Sequence, residues 1–564
     1  MSKKLMASLL FVIACLCSFA ADAFTSSGFT MRITVNGLTN SATLHSNENV
    51  SVKVSLSCGS YAGVAADWWV LAGKASEYYY LNSSGQWIGP ADLACVRPVY
   101  QGALFDLAPV EIYRGAGLPA GNYVLYFGLD ARNGTLDPDV VYTTGALQII
   151  PPAKWTLMYY LDGDNNLEPD FLTKFTQLAQ GGSDSNISIV AQFDRAGNST
   201  NFGYWSGCER FYVTNGMTPV RECAVADWDD GIGGRAVNMG EPSTLTSFIN
   251  WAAYHYPAER YALMLGDHGF GWRGLCIDSS SDDDYMFITE LKNALTNASI
   301  AVDLVVMDAC LMQMVETLHE LALAGVDYAI GSETYGQTDW PYRAMLDGLF
   351  QHPEWTARDA AVDMHARLAS YFSTRESITL SLADLSQAPL LVSNVSALAG
   401  GMVNTSLTFA AVQAQAAALM AQINRTIISE YHGADWNGKA YGMTIYFPQP
   451  VIGYLVHAPE SFDFYIPSLT TFAADGLWHY FLSFRYNQAP DQEHQIKGEI
   501  VGIHSGMLGE YFETGQECLD LYDFCSRIVN YQPALSPATG GEQVGKAQGL
   551  PQMSGGKSMA GAGF

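Results

Sequence analysis

The sequence predicts two architectures in one chain, an all-β sandwich followed by a layered α/β unit, and a change of pattern at Pro151-Pro152 separates them. Before it, short strand candidates run at Thr30 to Val35, Val50 to Ser57, Trp68 to Leu71, Tyr78 to Leu81, Tyr123 to Leu129 and Ala146 to Ile150. Gly, Pro and Asn turns punctuate them with no helical period between, the pattern of an antiparallel sandwich of immunoglobulin-like type. After it, strand and helix alternate. Strand candidates Trp155 to Leu161, Ile187 to Phe193, Ala262 to Leu265 and Leu304 to Met307 are separated by helical patterns at Leu167 to Gln180, Pro242 to Tyr256 and Ile288 to Leu295. That order predicts a largely parallel sheet covered on both faces.

Further along, Met312 to Ala324, Thr356 to Ser370, Thr408 to Ile427 and Leu477 to Tyr486 read as helices, and Tyr328 to Ser332 and Tyr441 to Phe447 as strands. The divisions expected are 1–23, a leader; 24–151, the sandwich; 152–486, the α/β domain; 487–535, an extension; and 536–564, a Gly-rich disordered tail.

The leader reading rests on Lys3 and Lys4, the apolar run Leu5 to Phe19 and the small-residue site Ala21-Asp22-Ala23. A rival takes Val12-Ile13-Ala14-Cys15 as a lipoprotein box, which would anchor the protein. No other stretch approaches the ~20 apolar residues of a membrane helix, so an exported protein without an integral membrane segment is expected, secreted or held in the periplasm or at the surface of a bacterium. The 28 basic and 56 acidic side chains give a formal net charge of -28, which excludes phosphate-backbone affinity as a main function. Export permits disulfides, and Cys58/Cys95, Cys208/Cys223 and Cys518/Cys525 fall into local pairs, leaving Cys276 and Cys310.

Two short motifs carry chemistry. Asp267-His268-Gly269 and Asp308-Ala309-Cys310 each terminate a strand candidate, and ligands of open α/β sheets gather beyond the carboxyl ends of strands. A thiol and an imidazole meeting there are the parts of a cysteine hydrolase: the thiolate attacks a carbonyl, and the imidazole generates it and protonates the leaving amine. The N–H groups of Gly269 and of Cys310, placed near the start of the following helix, are natural oxyanion donors. Taken alone, a cysteine ending a buried strand is ordinarily an inert small hydrophobe. The glycines around His268 argue for a tight loop instead of a packed face.

From Trp155 onward the chain resembles the clostripain family of cysteine peptidases, in the caspase-like clan. The likeness lies in Tyr160-Leu161-Asp162-Gly163-Asp164-Asn165-Asn166-Leu167, in Asn238-Met239-Gly240 with Pro242 and Leu245, and in Asp267-His268-Gly269-Phe270-Gly271-Trp272. It continues through Met307-Asp308-Ala309-Cys310-Leu311-Met312, Gly331-Ser332-Glu333, Trp340-Pro341-Tyr342 and, more weakly, Tyr441 to Pro448. The resemblance implies a caspase-like α/β/α sandwich, Cys310 as nucleophile, His268 as its partner, and proteins or peptides with Arg or Lys before the cleaved bond as substrates. It also implies an acidic pocket. Asp308 matches that acid, with helix capping as its competing task, and Asp339 and Glu333 are weaker candidates for the rim.

Trp272 is expected to pack under the His268 loop and Asp278 to steady it. Some family members need calcium, and the oxygen donors here are Asp130, Asn133, Asp137 and Asp139 on one turn and Asp162 and Asp164 on another, neither set matching a complete loop. No cofactor is needed for the chemistry itself. Family precursors often cut themselves between histidine and cysteine after a basic residue; here Ser279 to Asp284 is acidic and Arg273 and Lys292 are the basic residues of that stretch, so that cut does not carry over. The alternatives are a silent binding or adhesion protein on a peptidase fold and a cysteine transpeptidase.

Overall fold

The computed structural model describes residues 28–225, 237–447, 470–482 and 518–531, apart from residues 40, 47, 405 and 479. The leader at 1–23, the tail at 536–564, most of the extension at 487–535 and the end of the helix expected to reach Tyr486 lie outside the described residues.

Eleven strands come first: β1 (Thr30–Val35), β2 (Leu38–Thr39), β3 (Ser41–His45), β4 (Val50–Ser57), β5 (Ala65–Lys74), β6 (Glu77–Leu81), β7 (Trp87–Ala91), β8 (Tyr100–Ala103), β9 (Leu107–Gly115), β10 (Gly121–Ala131) and β11 (Val141–Ile150). They form two sheets, ordered β2-β1-β4-β9 and β3-β11-β10-β5-β6-β7, with β8 beside β5. Alternation explains the layering. In β4, Val50, Val52, Val54 and Leu56 point inward between Ser and Lys residues, meeting Trp68, Val70, Leu125, Phe127 and Leu147 of the second sheet in one core.

The α/β part follows directly, with β12 at Ala153–Gly163. Next in order are α1 (Glu168–Gly181), β13 (Ile187–Arg195), β14 (Gly207–Tyr212), α2 (Pro242–His255), β15 (Ala258–Gly266), β16 (Gly274–Asp278), β17 (Asp284–Phe287), α3 (Ile288–Thr296), β18 (Leu304–Asp308), α4 (Val315–Leu323) and β19 (Tyr328–Gly331). Then come α5 (Tyr342–Met345), α6 (Asp347–Gln351), α7 (Ala357–Tyr371), β20 (Thr379–Asp384), α8 (Ala388–Val403), α9 (Phe409–Thr426), β21 (Ile427–His432), β22 (Thr444–Tyr446), α10 (Thr471–Asp475), β23 (Cys518–Asp520) and α11 (Leu521–Asn530).

One sheet of eight strands, β14-β13-β12-β15-β18-β19-β20-β21, organises this part. Its middle is parallel from β13 to β19, β14 and β20 run antiparallel to it, and β21 pairs antiparallel with β20. The middle strands read as continuous apolar runs because both faces are covered. One face carries α2, α3, α4, α8 and α9 on a core that includes Leu263, Leu265, Val305 and Met307. The other carries α1, α5 and α7 on Leu157, Tyr159, Met264 and Val306. This is the three-layer α/β/α sandwich, and the winding reverses between β12 and β15, since β13 lies to one side of β12 and β15 and β18 to the other.

The sheet is largely parallel, as expected, and the long helices α8 and α9 lead from β20 to its edge strand β21. One expectation changes. All eight described cysteines are free thiols, so the three local pairs are not bridged. Cys58 is enclosed in the sandwich core whereas Cys95 is exposed, and Cys208 and Cys223 pack on opposite faces of the large sheet. Cys518 and Cys525 are both buried, one on β23 and the other in α11.

The junction of β13 and α1 depends on a buried ion pair: Arg195 Nε donates to Glu168 Oε1 at 2.7 Å with both side chains wholly enclosed. Glu168 Oε2 accepts from the N–H groups of Asn198 and Ser199 at 2.9 and 3.1 Å, and the guanidinium lies 4.6 Å from the Trp205 ring centre. Glu168→Ala leaves a buried cation unpaired and is expected to destabilise the domain by about 3–5 kcal/mol; urea denaturation followed by tryptophan fluorescence measures it.

Candidate active site

The reversal between β12 and β15 opens a crevice at the carboxyl end of the sheet, where such sites lie. β15 and β18 are parallel neighbours with Gly266 opposite Asp308, so His268 and Cys310 occupy equivalent positions two residues beyond the paired ends. The ladder continues past the strands, the Asp267 N–H donating to the Asp308 carbonyl at 3.3 Å. At Gly269 the two loops touch backbone to backbone. A Cβ there would stand 2.3 Å from the Cys310 carbonyl oxygen and 3.0 Å from its nitrogen, so a side chain at position 269 would push imidazole and thiol apart.

Each loop is anchored from behind. Asp267 accepts from Ile277 N–H at 2.5 Å and from the Asn165 amide at 2.7 Å. The His268 carbonyl accepts from Cys276 N–H at 3.2 Å. The His268 ring is half-buried, its Nε2 lying 2.8 Å from the Asn166 Oδ1 at the end of β12. That contact supplies an orienting side chain for the ring.

On the nucleophile side, Leu311 N–H donates to the Thr334 carbonyl at 2.8 Å and Gln313 N–H to that of Ser332 at 3.0 Å. Gly336 N–H donates to the Cys310 Sγ at 3.1 Å. Leu311 sits at φ 63°, in the left-handed region that a branched side chain rarely adopts. The chain therefore turns away from Cys310 before α4 begins at Val315, and the nucleophile does not lie at a helix start as expected. Among the described residues, the N–H groups of Gly269 and Cys310 donate to no backbone acceptor, which leaves both for an oxyanion.

Burial shifts both reactive groups toward their neutral forms. It raises the Cys310 thiol above its ordinary value, partly offset by the Gly336 N–H, with Asp308 and Asp267 raising it further. It lowers the His268 imidazole. Beneath them, burial pushes Asp162, Asp194 and Asp267 well above the carboxylate range, and neighbouring carboxylates add to the push on each.

The three acids expected at the pocket are placed apart. Asp308 is enclosed: Lys174 of α1 donates to its Oδ2 at 2.5 Å and the Tyr342 hydroxyl to the same oxygen at 2.9 Å. Burial raises its pKa and Lys174 pulls it back, so its charge is matched internally, and it caps no helix. Glu333 is not at a rim. Its Oε1 accepts from Gly442 N–H at 2.9 Å and its carboxyl faces that of Asp520, with burial the main cause of a pKa well above normal. Asp339 is exposed, paired with Arg375 at 2.6 Å, three residues along from Gly336.

Trp272 is buried against Tyr446, ring centres 5.0 Å apart. Asp278 holds Met239 N–H at 2.9 Å and Ser281 N–H at 3.0 Å, so it fixes the neighbouring Asn238-Met239-Gly240 turn while Asp267 steadies the histidine loop. Lys292 lies in α3 and pairs with Glu320 at 3.0 Å, and Arg273 stacks on Trp272.

The calcium candidates do not assemble a cage. Asp130 accepts from Trp69 Nε1 at 2.8 Å and from Asp137 N–H at 2.9 Å, and the Asn133 amide donates to Asp137 at 2.5 Å, so the turn consumes its own oxygens. Asp164 N–H and Ser280 N–H engage Asp162 and Asp164 at 3.3 and 3.2 Å. Among the described residues no group of three or more His, Cys, Asp or Glu side chains is arranged to hold a metal ion.

Residues 159–530 match the model of the clostripain family. Clostripain of Hathewaya histolytica is 29% identical over 194 residues, covering 30% of this chain and 36% of that protein, so the match spans about a third of the relative's length. Among solved structures, a secreted C11 cysteine protease from Bacteroides thetaiotaomicron in complex with an irreversible peptide inhibitor is 18% identical with a TM-score of 0.44, over 58% of this chain and 99% of the other. An inactive zymogen C11 protease from Parabacteroides distasonis is 20% identical with a TM-score of 0.43, over 58% and 98%. The family model takes in both loops of the site and most of the chain, and the protein belongs to the clostripain family.

Proposed function

We propose that the chain is an exported cysteine endopeptidase hydrolysing peptide bonds after Arg or Lys, with Cys310 as nucleophile and His268 as base. Family membership supports the reaction class, and the register that sets His268 beside Cys310 across Gly269 is the observation that carries the assignment. Export is supported by the leader pattern. Among the described residues no helix is long and apolar enough to cross a membrane.

The neutral pair sets the order of events. His268 takes the Cys310 proton as Sγ bonds to the substrate carbonyl carbon, and the electron pair moves to the carbonyl oxygen, which accepts from the Gly269 and Cys310 N–H groups. Collapse breaks the C–N bond, the imidazolium protonates the departing amine, and an acyl-enzyme remains. A water deprotonated by His268 attacks the thioester, and breakdown returns the thiol and releases the new carboxylic acid. For selectivity we assign Asp339 as the acid that meets the substrate cation, because it is exposed near the nucleophile's loop and its partner Arg375 is exchangeable at the surface. Asp308 then supports the floor through Lys174 and Tyr342.

With fluorogenic peptides ending in Arg, Lys or a neutral residue, wild type is expected to cleave the basic ones, and Cys310→Ala to lose at least about a thousandfold in kcat/KM. Failure of folded wild type to cleave any of them would overturn the peptidase assignment. Asp339→Asn is expected to raise KM for basic peptides about tenfold with little change in kcat, and a chelator to leave the rate unchanged.

The working imidazole is neutral and its pKa is depressed, so activity persists above that pKa and is lost as pH falls through it. The acidic limb of kcat/KM should therefore centre below the ordinary histidine value of about 6.5. Asn166→Ala is expected to lower kcat about tenfold while leaving KM unchanged, a split that separates ring orientation from substrate binding.

A further inference from the structure

The interior of the N-terminal sandwich is not filled at one end. A cavity of ≈ 480 Å³ lies between the inner faces of the two sheets, although protein interiors are otherwise packed like organic crystals. Val52, Leu125 and Leu147 form its buried part, and partly exposed Trp87 and Tyr113, with Tyr123, give it ring-bearing walls. Its size falls in the range of about 300–1,000 Å³ typical of small-molecule sites. An apolar cavity of roughly 150 Å³ holds benzene, so this one has room for a two-ring body.

Lys74 and Glu77, register partners across the β5–β6 hairpin, are the charged residues at the opening. Lys74 Nζ reaches only the Pro119 carbonyl, at a long 3.4 Å, and stands 5.1 Å from the Tyr123 ring centre. Among the described residues it makes no ion pair, and the Glu77 carboxylate is turned to the Tyr79 hydroxyl, which donates to it at 3.1 Å. Its stem lies across Gly121, where a Cβ would be 2.7 Å from Lys74 Cε, so that glycine permits the ammonium to hold its place. An ammonium that makes no ion pair among the described residues, standing beside an apolar hollow, offers an anionic group a charge-assisted hydrogen bond. Sugars fit poorly, since the Tyr123 hydroxyl is already committed to the Pro119 carbonyl at 2.7 Å and the apolar floor offers them nothing.

We infer that the sandwich is a binding domain for an apolar two-ring organic anion, whose rings enter between Trp87, Tyr113 and Tyr123 and whose acid group meets Lys74. The site is independent of the cysteine and histidine loops. Titrating the full chain with 1-anilinonaphthalene-8-sulfonate, and with the uncharged N-phenyl-1-naphthylamine, tests both parts. Saturable binding of one sulfonate per chain is expected, unchanged in Cys310→Ala.

Lys74→Met should weaken the sulfonate about tenfold and spare the neutral amine. Ala72→Phe, or Leu118→Trp from the rim, should remove both by filling the space, with near-ultraviolet circular dichroism and the melting temperature showing that each variant is folded. Absence of saturable binding, or binding that survives both filling variants in folded protein, overturns the site. Equal weakening of both dyes by Lys74→Met overturns the charge preference and with it the proposed ligand class.

Discussion

Everything at the active site depends on one contact that has no side chain in it. The Gly269 backbone lies against Cys310 so closely that a methyl group would meet its carbonyl oxygen at 2.3 Å. Two parallel strands in register deliver the loops to the same height, but strand spacing alone would leave side-chain bulk between them. Gly269 removes that bulk, so one missing Cβ lets the backbones of the histidine and cysteine loops meet. The outer supports share this logic: Asp267 holds the histidine loop to β16, and the carbonyls of Ser332 and Thr334 hold the cysteine loop to the end of β19.

Because Cys310 lies five residues ahead of α4, no helix dipole lowers its pKa, and burial raises it. A cysteine at a helix start next to a cationic imidazole would be pre-ionised. Here both burial effects act the other way, which ties thiolate formation to the approach of substrate and makes the orientation of a neutral ring the critical variable. That is why Asn166, in the turn after β12, matters: its Oδ1 lies 2.8 Å from Nε2 and holds the plane of an imidazole that has no carboxylate on its ring.

Much of this was legible in the sequence. The apolar runs ending at Asp267 and Asp308 identified parallel strands and placed His268 and Cys310 beyond them, since fully buried strands admit little else. What was not legible came from tertiary contacts overriding local preference. Met312-Gln313-Met314 are good helix formers, yet backbone bonds to Ser332 and Thr444 hold them extended, and the turn at Leu311 is visible only as a dihedral. Asn166 sat within a quoted motif, but its partner is 102 residues away and Asn in an Asp-rich loop reads first as a turn former. The pairing of Asp308 was hidden for a similar reason: its partner Lys174 lies on α1, a helix whose apolar face gave no hint of a buried cation. The free cysteines follow from topology, because sequence proximity says nothing about which face of a sheet each thiol takes.

The formal charge of the chain needs the same correction by burial. Counting acids predicts a strongly negative field at the site, and Asp162, Asp194, Asp267 and Asp308 all lie near it. Three of these are held well above the carboxylate range by enclosure and by one another, and the fourth is matched by Lys174. The His268 pKa is lowered by burial, with no carboxylate raising it. The acids under the sheet end act as supports: Asp267 accepts from Ile277 N–H and the Asn165 amide behind the histidine loop, Asp308 ties the end of β18 to Lys174 and Tyr342, and enclosure disfavours the charged forms of Asp162, Asp194 and Asp267.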